Sequence, residues 1–290
     1  MDLPRLGLRR RPFAPAPDPR AFVPLPAHEA AVAALRQAFD AGDGPALLDG
    51  EPGCGKTSVA LRFLHTLPAD TPRVFLPAGK FARPADLLQA LLFDFGGEYR
   101  GLNETELRLA VADRLLAGLG QGTPTAVVVD EAQHLSDDAL EEVRLLGNLH
   151  GPGTPAAVVV LVAQPALRAR LGAAGLAAFA QRVRVRTALG TLDRDESVRF
   201  LRDQLAGADG RLDDEAAGLI AEHARGVPRL LNQAAAEAFR LAAEGGAEAV
   251  EVEAAVEALT RLGLYEEPGP AVLPHPAQAA ARRPRKRKSA

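Results

Sequence analysis

Cysteine is almost missing from this chain, with one residue, Cys54, in 290. A lone thiol excludes an intrachain disulfide and suits a reducing compartment. Long apolar runs are missing too. The longest, 156–163, has eight residues, far short of the roughly 20 that a membrane-spanning helix needs. The basic N-terminus lacks the apolar stretch of a secretory signal and runs instead through Pro12, Pro15, Pro17 and Pro19. These absences lead to the expectation of a cytoplasmic protein with no membrane span. His65 and His134 have no partner at metal-ligand spacing and are assigned no chemistry.

Net charge is small, −3, but it is unevenly placed. Residues 1–20 carry five Arg against two Asp, and residues 265–290 carry six Lys or Arg against two Glu, so a body at −10 is flanked by ends at +3 and +4. Six of the seven positions 282–288 are cations. No aromatic stands among them to stack on bases. That tail is expected to bind duplex DNA or an anionic membrane without reading sequence, or to be a solvated end.

The rest of the chain alternates between two periodicities. Short apolar runs at 46–48, 73–76, 126–129, 157–162 and 182–186 predict five strands, and residues 28–40, 56–67, 85–95, 103–119 and 137–149 have helical spacing. Strands alternating with helices predict an α/β fold, a parallel sheet sandwiched by helices. Beyond residue 192 only helical patterns remain, at 194–205, 214–224, 228–243 and 252–262. The expected organisation is an extended, proline-rich basic arm over 1–20, an α/β domain over 21–190, an all-helical lid over 191–264 and a disordered basic tail over 265–290. Ordered structure is expected to begin near Phe22.

Two stretches carry chemistry. Gly50, Glu51, Pro52, Gly53, Cys54, Gly55, Lys56 and Thr57 complete the pattern G-x-x-x-x-G-K-[ST] between an apolar strand and an amphipathic helix that continues with Ser58. Glycines let the backbone turn its amides toward a phosphate chain, and the helix N-terminus adds positive potential there. Lys56 is expected to reach the β and γ phosphates of ATP, and Thr57 to hold Mg²⁺. Cys54 is read as a small residue that the loop tolerates, although loop amides and Lys56 are able to lower its pKa. The second stretch ends a valine run with Asp130 and Glu131. A buried strand end gives no reason for two adjacent acids, since an unpaired carboxylate there is costly. Bound Mg²⁺ gives Asp130 a reason, and Glu131 is placed to activate a water as general base.

With those residues in view, "PFAPAPDPRAF", "LLDGEPGCGKT", "VVVDEAQHLSDDALEEVRLLGNL", "VVLVAQPALRARL", "QRVRVR" and "GVPRLLNQ" resemble the ExeA-like branch of the AAA+ ATPases, which includes general-secretion-pathway A and TniB-type transposition ATPases. The similarity covers about residues 12–262. It implies a P-loop NTPase fold, ATP hydrolysis and action as a homo-oligomer, a ring or a filament. It implies that Gln164 orients the attacking water as sensor 1, the alternative being a helix cap, and that Arg229 faces the nucleotide as sensor 2, the alternative being a solvated helix arginine. It implies that Arg182 is an arginine finger for a neighbour's site, against the reading that Arg182, Arg184 and Arg186 are the exposed face of an edge strand. The partner is expected to be DNA and a transposase. A secretion protein is the second expectation, set lower because secretion members continue past the lid into a membrane span. A nucleotide-dependent protein-binding switch is the third.

Overall fold

The computed structural model describes residues 12–14, 16–77, 81–120, 122–205 and 208–265. In chain order its elements are α1 (Pro26–Ala41), β1 (Ala46–Gly50), α2 (Lys56–Thr66), β2 (Arg73–Leu76), α3 (Pro84–Asp94), α4 (Glu104–Leu119), β3 (Thr125–Val129), α5 (Asp137–Leu146), β4 (Ala157–Ala163), α6 (Pro165–Arg170), α7 (Ala177–Ala180) and β5 (Arg186–Leu189), followed by the helices α8 (Arg194–Leu205), α9 (Asp214–His223), α10 (Pro228–Glu244) and α11 (Val252–Arg261).

The sheet has the order β2-β3-β4-β1-β5, and every pairing is parallel. Central strands of such a sheet are covered on both faces, so their sequences are uniformly apolar. Alternate residues feed two cores. Leu47, Val127, Val129, Val159 and Leu161 face the helices α3–α7, and Leu48, Ala126, Val128, Val160 and Val162 face α1 and α2. Parallel strands all point one way, so their loops gather at one edge of the sheet. There Leu161 of β4 pairs with both Val129 and Leu47, which brings the ends of β3, β4 and β1 side by side.

Helix starts follow local chemistry. Asn103 and Glu106 form the capping box that opens α4, and the Ser136 hydroxyl accepts the Ala139 N–H to open α5. Glu142 on α5 is 2% exposed and accepts three hydrogen bonds from the Arg108 guanidinium of α4, at 2.7 to 3.1 Å. That ion pair joins the two helices on the outer side of the sheet.

The helices α8–α11 enclose a third core, which draws in residues from far upstream. Phe13, Val23 and Leu25 are buried in it beside Leu231 and Phe239, and the Phe13 and Phe239 rings lie 5.6 Å apart. The expectation that order begins near Phe22 is therefore corrected. Proline disfavours an α-helix here but does not keep Phe13 from packing, and a short 3₁₀ turn, Pro19–Ala21, is capped by Asp18. The remainder of the proposed arm, 1–11, and the basic tail from 266 onward lie outside the described residues.

The last predicted strand is corrected as well. β5 begins at Arg186, so Arg182, Arg184 and Val185 precede it. Only the Val185 carbonyl reaches the ladder, accepting the Leu47 N–H at 2.9 Å.

Candidate functional site: a phosphate loop under a helical lid

The loop 50–57 leaves β1 and enters α2. Gly53 and Gly55 hold φ of +86° and +95°, a region that L side chains resist. Space forbids side chains too. A Cβ at Gly50 would sit 2.4 Å from the Leu189 carbonyl oxygen, and one at Gly55 would sit 2.8 Å from His28 Nε2. The Lys56 side chain curls over the loop, its ammonium donating to the Gly50 and Glu51 carbonyls at 2.9 and 3.0 Å. Cys54 is buried, and burial pushes its thiol pKa up against the smaller pull of Lys56. A protonated, buried thiol agrees with a small tolerated residue.

Opposite stands the end of β3. The Thr57 hydroxyl donates to Asp130 Oδ2 at 2.7 Å, and the Glu131 N–H donates to Oδ1 at 2.9 Å. Burial pushes the Asp130 carboxyl above its ordinary range, while the Thr57 hydrogen bond opposes this. Glu131 has φ +52°, unusual for a residue with a side chain. Its carboxylate accepts the Gln133 amide N–H at 2.5 Å.

Gln164 directly follows β4 and stands at the N-cap of α6, yet its side chain makes no capping bond there. Its backbone N–H instead donates to Gln133 Oε1 at 3.0 Å. Helix α6 locks this corner. Arg168 pairs with Asp49, buried at the end of β1, and Arg170 donates to the Gln133 and Leu135 carbonyls at 3.1 and 2.7 Å.

The lid touches the loop through its main chain. Pro228 opens α10, and the next backbone N–H, that of Arg229, donates to the Gly53 carbonyl at 3.1 Å. This N–H belongs to the first turn of a helix, which has no intrahelical acceptor. Just before it, Gly226 has φ +68°, and any Cβ there would lie 1.9 Å from the Leu192 carbonyl oxygen.

A cavity of about 950 Å³ lies between loop, lid and the segment 12–28, and Lys56, Thr57, Ser58, Glu131, Gln164 and Arg229 line it together with Gly53 and Gly55. Asp130 sits behind Thr57. Arg182 is exposed, is not among the lining residues, and has no side-chain partner among the described residues. Its neighbours differ: Arg184 pairs with Asp43 at 2.7 Å, and Arg186 donates to the Ala180 carbonyl at 2.8 Å.

Three contributors escaped the sequence reading. His28 is buried, with Nε2 donating to the Cys54 carbonyl at 3.0 Å. Burial depresses its pKa, against smaller raising effects from that carbonyl and Glu196. Its signal was visible, since it precedes Ala31 and Leu35 on the apolar stripe of α1. Gln133 and the Arg168–Asp49 pair carried none, because Gln133 acquires its meaning from Gln164, 31 residues away, and Arg168 lies 119 residues from Asp49.

Residues 40–171 match the family model described as the AAA domain. Over those residues the chain is similar to the AAA domain family. Its sequence is 36% identical over 233 residues to general secretion pathway protein A of Aeromonas hydrophila, a match that spans 78% of this chain. This bears out the ExeA-like resemblance. The chain covers 42% of that relative's length. Among solved structures, Cdc6p from Pyrobaculum aerophilum superposes with a TM-score of 0.69 at 19% identity, covering 84% of this chain and 71% of that one. The Aeropyrum pernix ORC1 protein, solved in complex with DNA, gives 0.69 at 20% identity, with 88% and 70% covered. At such identities the likeness is one of fold alone. No helix among the described residues is long and apolar enough to cross a membrane.

Proposed function

We propose that the AAA domain binds ATP with Mg²⁺ and hydrolyses it to ADP and phosphate. The observation that carries this reading is the Thr57 hydroxyl on the buried Asp130 carboxylate at 2.7 Å, beside Glu131 and Lys56. A hydroxyl and a carboxylate oxygen are hard donors of the kind Mg²⁺ selects, and the desolvation that raises the Asp130 pKa is what a divalent cation offsets. These two residues fit the ion. When bound, Mg²⁺ screens the phosphate oxygens. Amides of residues 53–57 and the Lys56 ammonium hold the phosphate chain. Glu131 takes a proton from the attacking water as its oxygen bonds to the γ phosphorus and the bond to the ADP oxygen breaks. Gln164 and Arg229 face the same cavity, to orient that water and neutralise developing charge.

The unpartnered Arg182 guanidinium, exposed away from its own cavity, supports a homo-oligomer in which it completes a neighbour's site. ATP supply then favours the cytoplasm. For the client, the basic ends support sequence-blind contact with duplex DNA and a transposition-type role beside a transposase. The 36% identity to general secretion pathway protein A supports the second reading, an ATPase acting on a secretion or envelope protein. A slowly hydrolysing protein-binding switch predicts no response to DNA.

The test is phosphate release with Mg²⁺ or with chelator, together with sedimentation, each with and without duplex DNA, for the full chain and for one ending at Glu266. Release without Mg²⁺, or none under any condition, overturns the hydrolysis reading. DNA-stimulated assembly supports the DNA role, and indifference to DNA removes it.

A further inference from the structure

Gln133 stands between Glu131 and Gln164 with both ends of its amide engaged. Its Nε2 donates to Glu131 Oε2 at 2.5 Å, and its Oε1 accepts the Gln164 backbone N–H at 3.0 Å. The partners settle which end is which. A backbone N–H only donates and a carboxylate only accepts, so a flipped amide would face a donor with a donor and an acceptor with an acceptor. The Gln133 main chain is also held, its carbonyl taking Arg170 Nη1 at 3.1 Å. Glu131 itself is in a left-handed conformation, which persists only where surrounding contacts over-determine it.

We infer that Gln133 is a positioning residue for ATP hydrolysis, fixing the rotation of the Glu131 carboxylate and tying it to the end of β4. This rests on the proposed role of Glu131 as general base. Gln133 engages Oε2 of Glu131, which leaves Oε1 to meet water in the cavity that Glu131 lines. Because the amide is orientated by the Gln164 N–H, a displacement at the end of β4 releases the carboxylate. The residue at the sensor position and the base are thus linked by one side chain, through backbone on one side and carboxylate on the other.

The test is a double-mutant cycle on the full-length chain. Gln133→Ala and Gln133→Met, the second keeping chain length without polar atoms, are made alone and combined with Glu131→Gln. Turnover is normalised to nucleotide-binding sites, and ATP affinity is measured alongside. Misplacing a catalytic group by about 1 Å costs on the order of 100-fold, so each single variant is expected to lower kcat about 10- to 100-fold with ATP affinity within about threefold. In the Glu131→Gln background the same changes are expected to lower the residual rate no further, since the residue acts only through that carboxylate. Equal losses in both backgrounds, or wild-type kcat in either single variant, overturn the inference. Full turnover in Glu131→Gln alone overturns the general-base reading instead, so the two failures are told apart.

Discussion

The Thr57 hydroxyl and the Asp130 carboxylate, 73 residues apart in the chain, are joined by a hydrogen bond of 2.7 Å. It bridges the start of α2 and the end of β3, and its acceptor is 6% exposed. A hydrogen bond to a charged group contributes about 1.5–3 kcal/mol, which corresponds to roughly ten- to a hundredfold. Thr57→Ala is accordingly expected to raise the Mg²⁺ concentration for half-maximal turnover by that factor, and to leave nucleotide affinity in chelator unchanged. A Mg²⁺ titration of phosphate release checks it, and an unshifted midpoint removes Thr57 from the metal.

Glu131→Gln retains the shape of the side chain and removes its basicity. General-base catalysis contributes about 10²- to 10⁴-fold, and turnover is expected to fall by that much with ATP binding retained. Equilibrium binding of a fluorescent ATP analogue, set beside phosphate release, separates the two quantities. Loss of binding in parallel with turnover argues against a base at this position.

Arg182→Ala is expected to lower turnover roughly 10³-fold or more with no change in thermal stability, because its side chain has no partner among the described residues. Mixing it with Lys56→Ala subunits, whose own sites are blocked but whose Arg182 is intact, is expected to restore activity. A mixture as inactive as its components leaves Arg182 without a role in a neighbour's site.

His28 sets a pH dependence of stability. Its folded pKa lies below the ordinary value of about 6.5. Above that value the imidazole is neutral whether folded or unfolded. Below it the unfolded ring takes up a proton that the buried ring resists, so stability falls as pH falls. Thermal melts from pH 7.5 to 5.5 are expected to drop less for His28→Gln than for the wild type. Parallel curves assign the slope to other groups.

Arg108→Leu strands Glu142, which is 2% exposed. Leaving a buried charged acceptor unsatisfied costs about 1–3 kcal/mol or more. Because the Arg108 side chain is 37% exposed, water reaches the vacated position, and the lower part of that range is expected in chemical denaturation. A neutral outcome would mean that the pair orders the helices without stabilising them.

How much of this was legible in the sequence follows from the range of each interaction. Strands β1 to β4 and the long helices could be read because their periodicity is local, and the loop 50–57 because its glycines, lysine and threonine are contiguous. Strand β5 was displaced because alternation of Arg182, Val183, Arg184, Val185 and Arg186 mimics a ladder, while only residues from Arg186 pair with β1. The burial of Phe13 was missed because proline content speaks to local conformation and is silent on a lid core that closes more than 200 residues later. Gln133 lay inside a quoted motif, yet its meaning depends on Gln164, which only the sheet register brings alongside.

The bond from the Arg229 N–H to the Gly53 carbonyl belongs to the backbone, so it survives any exchange of the arginine side chain except one to proline. Hinge and charge are therefore separately editable. Saturation mutagenesis read out for abundance should find position 226 nearly closed to substitution and position 229 open, and the same library read out for turnover should reverse that tolerance at 229. Position 226 is thus expected to hold the lid in its seat, and position 229, three residues later, to be where the proposed hydrolysis is retuned.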